Sequence, residues 1–317
     1  MRAEVLARTW KRFRRRVLKS ALKGFAGLLL RQPLWDGRDV PSPSGRYGSG
    51  AGAPLPFVLL GDSSAVTVGV LTAADTVGAQ LARLLADRLD CPVDLDVTAR
   101  AGATTAGMAR QVRSVAGRGT PGVAFILIGG NDVLLPAPLG RAADRLGRYV
   151  RELRGAGWEV VIGSCADIGA APALRRPAAV VASIRSKWLA RHQRSAVAAA
   201  GGRVVPLATD AFRSAPGRLY CPDAFHPSAE GYRLYLGLAA PAVTEAGEAH
   251  LRAGASARRG QVALVQTCRP ASQSTAARGH AQLPRPARRP TPRPLRHPTE
   301  VGAEVAPRPG AAGRDRR

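Results

Sequence analysis

Five short apolar runs, at residues 57–60, 93–97, 123–128, 159–163 and 203–206, alternate with longer stretches of helical periodicity, and this alternation constrains the fold more than any other feature of the chain. The runs are partly β-branched and bounded by Gly, Pro or Asp, the pattern of buried strands. Between them, residues 73–89, 104–116, 139–154, 177–200 and 228–246 read as helices; in the first, Val77, Leu81, Leu84 and Leu85 share one face. A helix between successive strands makes each connection a crossover, so the strands run parallel and helices cover both faces of the sheet. The expectation is an α/β domain built on a parallel sheet of about five strands. Ligands of such sheets bind beyond the carboxyl ends of the strands, near the point where strand order reverses.

Three polar islands fall where such a site would lie. The run Phe57-Val-Leu-Leu-Gly-Asp-Ser63 ends a strand in a small, turning tripeptide that presents a hydroxyl. Gly129-Gly-Asn131-Asp132 closes another strand, and Asp223-Ala-Phe-His226-Pro227 sets a carboxylate three residues before an imidazole. Each island alone reads as ordinary connection chemistry, because Gly turns the chain and Asp, Asn or Ser cap helices. Together, in the order Ser, Asn, Asp, His, they outline a serine hydrolase. A Ser hydroxyl needs a base to take its proton as it attacks a carbonyl, and an imidazole can accept and return that proton. A carboxylate on the other ring nitrogen fixes the tautomer and stabilises the imidazolium.

At this point the chain resembles the SGNH subgroup of the GDSL esterase and lipase superfamily, over about residues 55–245. The resemblance implies that Ser63 is the nucleophile and lends its backbone N–H to the oxyanion hole, with Gly61-Asp62-Ser63 and Gly69 matching the first block. Ala101-Gly102-Ala103-Thr104 matches the second, with Gly102 as a further N–H donor, although Arg100-Ala101 stand where the family often has a small polar residue. Asn131 matches the third block and completes the hole; Asp223, His226 and Pro227 match the last. The family fold is a flavodoxin-like three-layer α/β/α sandwich, in agreement with the strand and helix pattern. The implied activity is metal-independent hydrolysis of a carboxylic ester through an acyl-enzyme, with no cofactor. Segments 134–139 and 166–177, rich in Ala, Pro and Leu, are expected to border an apolar acyl pocket. Lipid-like, lysophospholipase-type esters and glycan acetyl esters are both open to the family.

Other chemistries lack their patterns. No Gly-x-Ser-x-Gly nucleophile elbow occurs, and neither Cys-x-x-Cys nor His-Glu-x-x-His metal spacing appears. His192 is expected on a solvated helix face.

The net charge of +25 is concentrated at the ends. Residues 1–53 carry 12 basic and 3 acidic side chains, residues 54–248 carry 21 and 16, and residues 249–317 carry 14 and 3. Four segments follow: a basic amphipathic helix over 1–35, a Gly/Pro/Ser linker over 36–54, the hydrolase domain over 55–248, and a disordered Pro/Arg/Ala-rich tail over 249–317. In the first segment Leu6, Trp10, Phe13, Val17, Leu22, Phe25 and Leu29 recur among Lys and Arg, which suits either an anionic membrane or packing on the domain. A twin-arginine-like Arg14-Arg15-Arg16 is followed by an apolar stretch of only seven residues, so export is the lesser reading. Four scattered cysteines suggest free thiols and a reducing compartment, hence a cytoplasmic protein, in peripheral contact with anionic membrane on the reading in which the basic helix binds one. The alternative function is a basic nucleic-acid- or membrane-binding protein that uses its termini, with an inactive domain as scaffold. The mildly basic domain, without aromatic stacking motifs, argues against nucleic acid.

Overall fold

The computed structural model describes residues 29–267, with side chains described as far as residue 256. One sheet holds β1 (Gly45–Tyr47), β2 (Leu55–Gly61), β3 (Val93–Val97), β4 (Val123–Leu127), β5 (Glu159–Gly163) and β6 (Arg203–Val205), in the order β1-β3-β2-β4-β5-β6. Strands β2 to β6 are parallel, as expected. The described helices are α1 (Ser63–Val66), α2 (Val77–Leu89), α3 (Ala109–Ala116), α4 (Gly130–Leu134), α5 (Leu139–Gly155), α6 (Ala178–Ala198), α7 (Ala211–Ser214), α8 (Pro216–Leu219) and α9 (Ala229–Thr267).

The period of two along each strand sorts the core into two layers. Leu55, Phe57 and Leu59 of β2 join Phe125 of β4 beneath α2 and α9, where they meet Leu81, Leu85, Tyr232 and Val243. Val58 and Leu60 point the other way, with Ile126, into a layer closed by Val112 of α3, Leu146 and Val150 of α5, and Val197 of α6. Burying such a side chain fully contributes roughly 1.5–3 kcal/mol, so these two layers supply the main driving force for the sandwich. β2 lies at the centre, with β3 on one side and β4 on the other, and the strand order therefore reverses between β2 and β4.

Three segment boundaries differ from expectation. The stretch read as a linker over 36–54 contributes β1, an antiparallel edge strand that pairs with β3. At three residues it has no periodicity of its own; Arg46 grips Asp94, directly opposite, at 2.7 and 3.0 Å. It covers a sheet edge that would otherwise show unpaired backbone groups. The basic segment is not helical across residues 30–35: Leu30 bridges Leu174, and Leu29 and Leu30 pack against the cluster that includes Val133, Leu174 and Ala182. The last helix does not stop near residue 246 but runs to Thr267, with Pro241 inside it. Residues 1–28 and 268–317, which hold the rest of the amphipathic segment and of the tail, lie outside the described residues. No helix among the described residues is long and apolar enough to cross a membrane.

Candidate active site

The nucleophile candidate stands at the carboxyl end of the central strand. Asp62 caps α1 by accepting the Ser64 N–H at 2.9 Å, so the chain turns sharply and Ser63 becomes the first helical residue, its own N–H unpaired among the described residues. Gln111 of α3 holds this turn in place, accepting the Gly61 N–H at 2.8 Å and donating to the Gly61 carbonyl at 3.0 Å.

Gly102 and Asn131 follow β3 and β4, on either side of Ser63. Gly102 has φ +76°, a left-handed conformation that accounts for glycine there better than crowding does, since a Cβ would meet open space. Its N–H is also unpaired among the described residues. Asn131 is the second residue of α4 and donates one amide hydrogen to the Ala103 carbonyl at 2.9 Å, leaving the second for a ligand. Its neighbour Asp132 is buried and accepts both the backbone N–H and the hydroxyl of Thr105 at 2.9 Å. The two bonds lock the Gly102 loop against the Asn131 loop.

Helix α6 grips the Asn131 segment from both sides. Buried Gln193 donates to the Ile128 carbonyl at 3.0 Å and accepts the Cys165 N–H at 2.8 Å. Beyond Asn131, the Arg185 guanidinium donates to the carbonyls of Val133 and Leu135 at 2.8 Å, Asp132 at 3.0 Å and Ala137 at 3.1 Å. A cation there satisfies the orphan carbonyls at the end of α4 and complements its dipole.

The third island lies between α8 and α9. His226 Nδ1 bonds Asp223 Oδ2 at 2.6 Å, and both side chains are nearly inaccessible. The second Asp223 oxygen accepts the backbone N–H groups of Phe225 and His226 at 2.9 and 2.8 Å and the Cys221 thiol at 3.1 Å. The Trp35 N–H, 188 residues away in sequence, donates at 3.1 Å to Oδ2, the oxygen that holds His226. Burial works to raise the Asp223 pKa, but these donors outweigh it and hold the carboxyl well below the usual range. The same geometry, with burial the larger cause, pushes the Cys221 thiol up to about 12. Asp62 has fewer donors, and burial raises it to about 6. Gly69 fits where the Ser63 loop passes beneath this island, because a Cβ there would sit 2.3 Å from the Pro227 carbonyl. The Tyr232 hydroxyl donates to the Val68 carbonyl at 2.8 Å and ties the two loops further.

Ser63, Gly102, Asn131 and His226 thus line one cavity of about 250 Å³, with Asp223 behind His226. The Ser63 hydroxyl forms no hydrogen bond among the described residues; such contacts often tighten only when substrate binds. The family model for GDSL-like lipases and acylhydrolases matches residues 59–234, more than half the chain and every one of these residues. The chain belongs to that family.

Within the GDSL-like family, the chain is 36% identical over 208 residues to the GDSL-like esterase Rv1075c of Mycobacterium tuberculosis. The match covers 61% of this chain and 66% of the relative, so the chain spans slightly under two thirds of that protein. Among solved structures, TesA superposes with a TM-score of 0.50 at 17% identity, over 60% of this chain and 99% of TesA, a likeness of fold. The lipase/acylhydrolase of Enterococcus faecalis gives 0.48 at 23% identity, over 60% of this chain and 96% of that one. The architecture is that of the SGNH/GDSL hydrolases: α/β, with a mixed six-stranded sheet between helical layers.

The cavity wall departs from expectation in one respect. Ala166, Asp167, Ile168 and Ala171 line it, from the segment 166–177, but segment 134–139 does not. Leu134, Leu135 and Pro136 instead line a separate groove, because α4 turns them away from Asn131. Leu34, Trp35 and Tyr235 close the cavity and carry no local sequence signal; the first two come from the end of the segment expected as a basic helix, and Tyr235 from α9.

Proposed function

We propose that this protein is a serine ester hydrolase that forms an acyl-enzyme on Ser63. The observation that carries the reading is the buried Asp223–His226 pair, bonded through Nδ1 and set in the same cavity wall as Ser63. With Nδ1 committed to Asp223, Nε2 is the nitrogen free to take the Ser63 proton as Oγ attacks the ester carbonyl. The oxyanion of the tetrahedral intermediate receives the Ser63 and Gly102 N–H groups and the Asn131 amide. Collapse breaks the bond to the alkoxide, which leaves as the alcohol with the proton held by His226. A water then attacks the acyl-enzyme by the same route in reverse. These steps call on no metal or cofactor, and chelator treatment is expected to leave the rate unchanged.

The substrate reading is a carboxylic ester with a small apolar acyl group. A cavity of about 250 Å³ walled by Leu34, Trp35, Ile168 and Ala171 favours acetyl to butyryl groups over long chains. The test is hydrolysis of p-nitrophenyl esters from acetate to palmitate by wild type and Ser63→Ala. Turnover highest for the short esters and lost in Ser63→Ala is expected. A folded wild type that hydrolyses none of them, or full activity in Ser63→Ala, overturns the proposal.

A further inference from the structure

The outer side of α6 carries an apolar ridge that ester hydrolysis does not use. Helical spacing sets Val180, Val181, Ile184 and Trp188 on the side opposite the buried Ala182, Leu189, Gln193 and Val197. The ridge residues are 54%, 52%, 64% and 38% exposed. They are four of the seven large hydrophobics exposed among the described residues, so they form a patch and not the single scattered positions normal on a surface. A groove of about 630 Å³ continues the ridge at the amino end of α6, lined by Leu29, Leu134, Leu174 and Val181 and edged by Arg175 and Arg176.

Charge selects the occupant. α6 contains no Asp or Glu, and residues 168–202 hold six Lys and Arg with no acid. Lys187 and Arg191 fall on the same side of the helix as Ile184. The stretch of sequence that precedes Leu29 is basic too: residues 1–28 carry nine Lys and Arg against one Glu, interleaved with Leu6, Trp10, Phe13, Val17, Leu22 and Phe25. Two stretches rich in cations repel each other, which disfavours cover by that segment or by a second copy of the ridge. Both are attracted to an anionic lipid surface, where apolar side chains enter the acyl boundary and Lys and Arg meet the headgroups. We propose that the α6 ridge and its groove form a docking surface for anionic membrane. The surface stands independently of the ester-hydrolase reading.

Its test places an environment-sensitive NBD label on Ile184→Cys in the full chain, with Cys268→Ser; Cys91, Cys165 and Cys221 are free but buried. A label on Leu238→Cys, on α9 and the opposite face of the sheet, serves as reference. With vesicles of phosphatidylcholine and phosphatidylglycerol, the label at 184 is expected to brighten and shift to the blue, and the label at 238 to stay unchanged. Pure phosphatidylcholine is expected to change neither. The pair Val181→Glu and Ile184→Glu should weaken vesicle binding by roughly tenfold or more, with p-nitrophenyl acetate hydrolysis unchanged. Three results overturn the proposal: a full chain that does not bind the anionic vesicles, one that binds them while the label at 184 stays in water, and a label already shielded before vesicles are added. The second means that the basic termini alone make the contact, and the third that the chain itself or a second copy covers the ridge.

Discussion

Burial raises the pKa of both carboxylates close to Ser63, but the two end on opposite sides of the ordinary value because Asp223 has more hydrogen-bond donors than Asp62. Asp62, raised from 3.8 to about 6, favours its protonated form in the folded protein. Between about pH 4 and pH 6 the unfolded chain therefore holds fewer protons at this residue, and its contribution to stability falls as pH rises, by about 3 kcal/mol in all. Asp223 has the opposite sign: its stabilisation is present above the ordinary carboxylate range and is lost as pH falls toward its lowered pKa. Urea unfolding across this window should show Asp62→Asn gaining on wild type as pH rises. At the proposed oxyanion hole, Asn131→Ala removes one of three donors and is expected to lower kcat by about 10²–10³ with little change in KM. Single-turnover and steady-state rates check this. Ser63, Asn131 and His226 are legible in sequence because each sits in a short local motif. Trp35 is not, because what makes it a partner of Asp223 is a fold-dependent meeting across 188 residues that no spacing encodes.

Among elements, α6 does more than cover the sheet. Its Arg185 fastens four carbonyls of the α4 region and so fixes where Asn131 points. Lys offers one ammonium in place of a planar fork, so Arg185→Lys is expected to lower kcat about tenfold while KM moves little. Added guanidinium should restore part of the activity of Arg185→Ala, a rescue that general unfolding would not show. The five parallel strands are legible because their buried apolar runs are bounded by turn residues. β1 is not, since Gly45-Arg-Tyr47 becomes a strand only through its register with Val93–Leu95. The grip of Arg185 is likewise hidden, because its partners are backbone carbonyls about fifty residues away. The carboxyl end of α9 escapes for a different reason: the Ala-, Gly- and Arg-rich residues from 249 onward read as the start of a tail, yet the helix continues to Thr267.

At the scale of the molecule, the domain begins before its first long strand. β1 protects the sheet edge, and the Trp35 N–H reaches Asp223. A fragment of residues 54–248 lacks both. It is expected to unfold at lower urea than a fragment of residues 29–267 and to hydrolyse p-nitrophenyl acetate more slowly, even under conditions where both are folded. Equal stability and equal turnover would show that neither contact matters. The charge layout adds a second consequence, because the strongly basic ends flank a nearly balanced domain. Salt should therefore weaken vesicle binding by the full chain without altering hydrolysis of a soluble ester.

The most direct measurement is active-site labelling by a fluorophosphonate, followed by mass spectrometry of the modified peptide. Stoichiometric phosphonylation of Ser63 is expected, abolished in Ser63→Ala and strongly slowed in His226→Ala. Labelling of another residue, or labelling of Ser63 at the same rate in His226→Ala, would contradict a nucleophile activated by the Asp223–His226 pair.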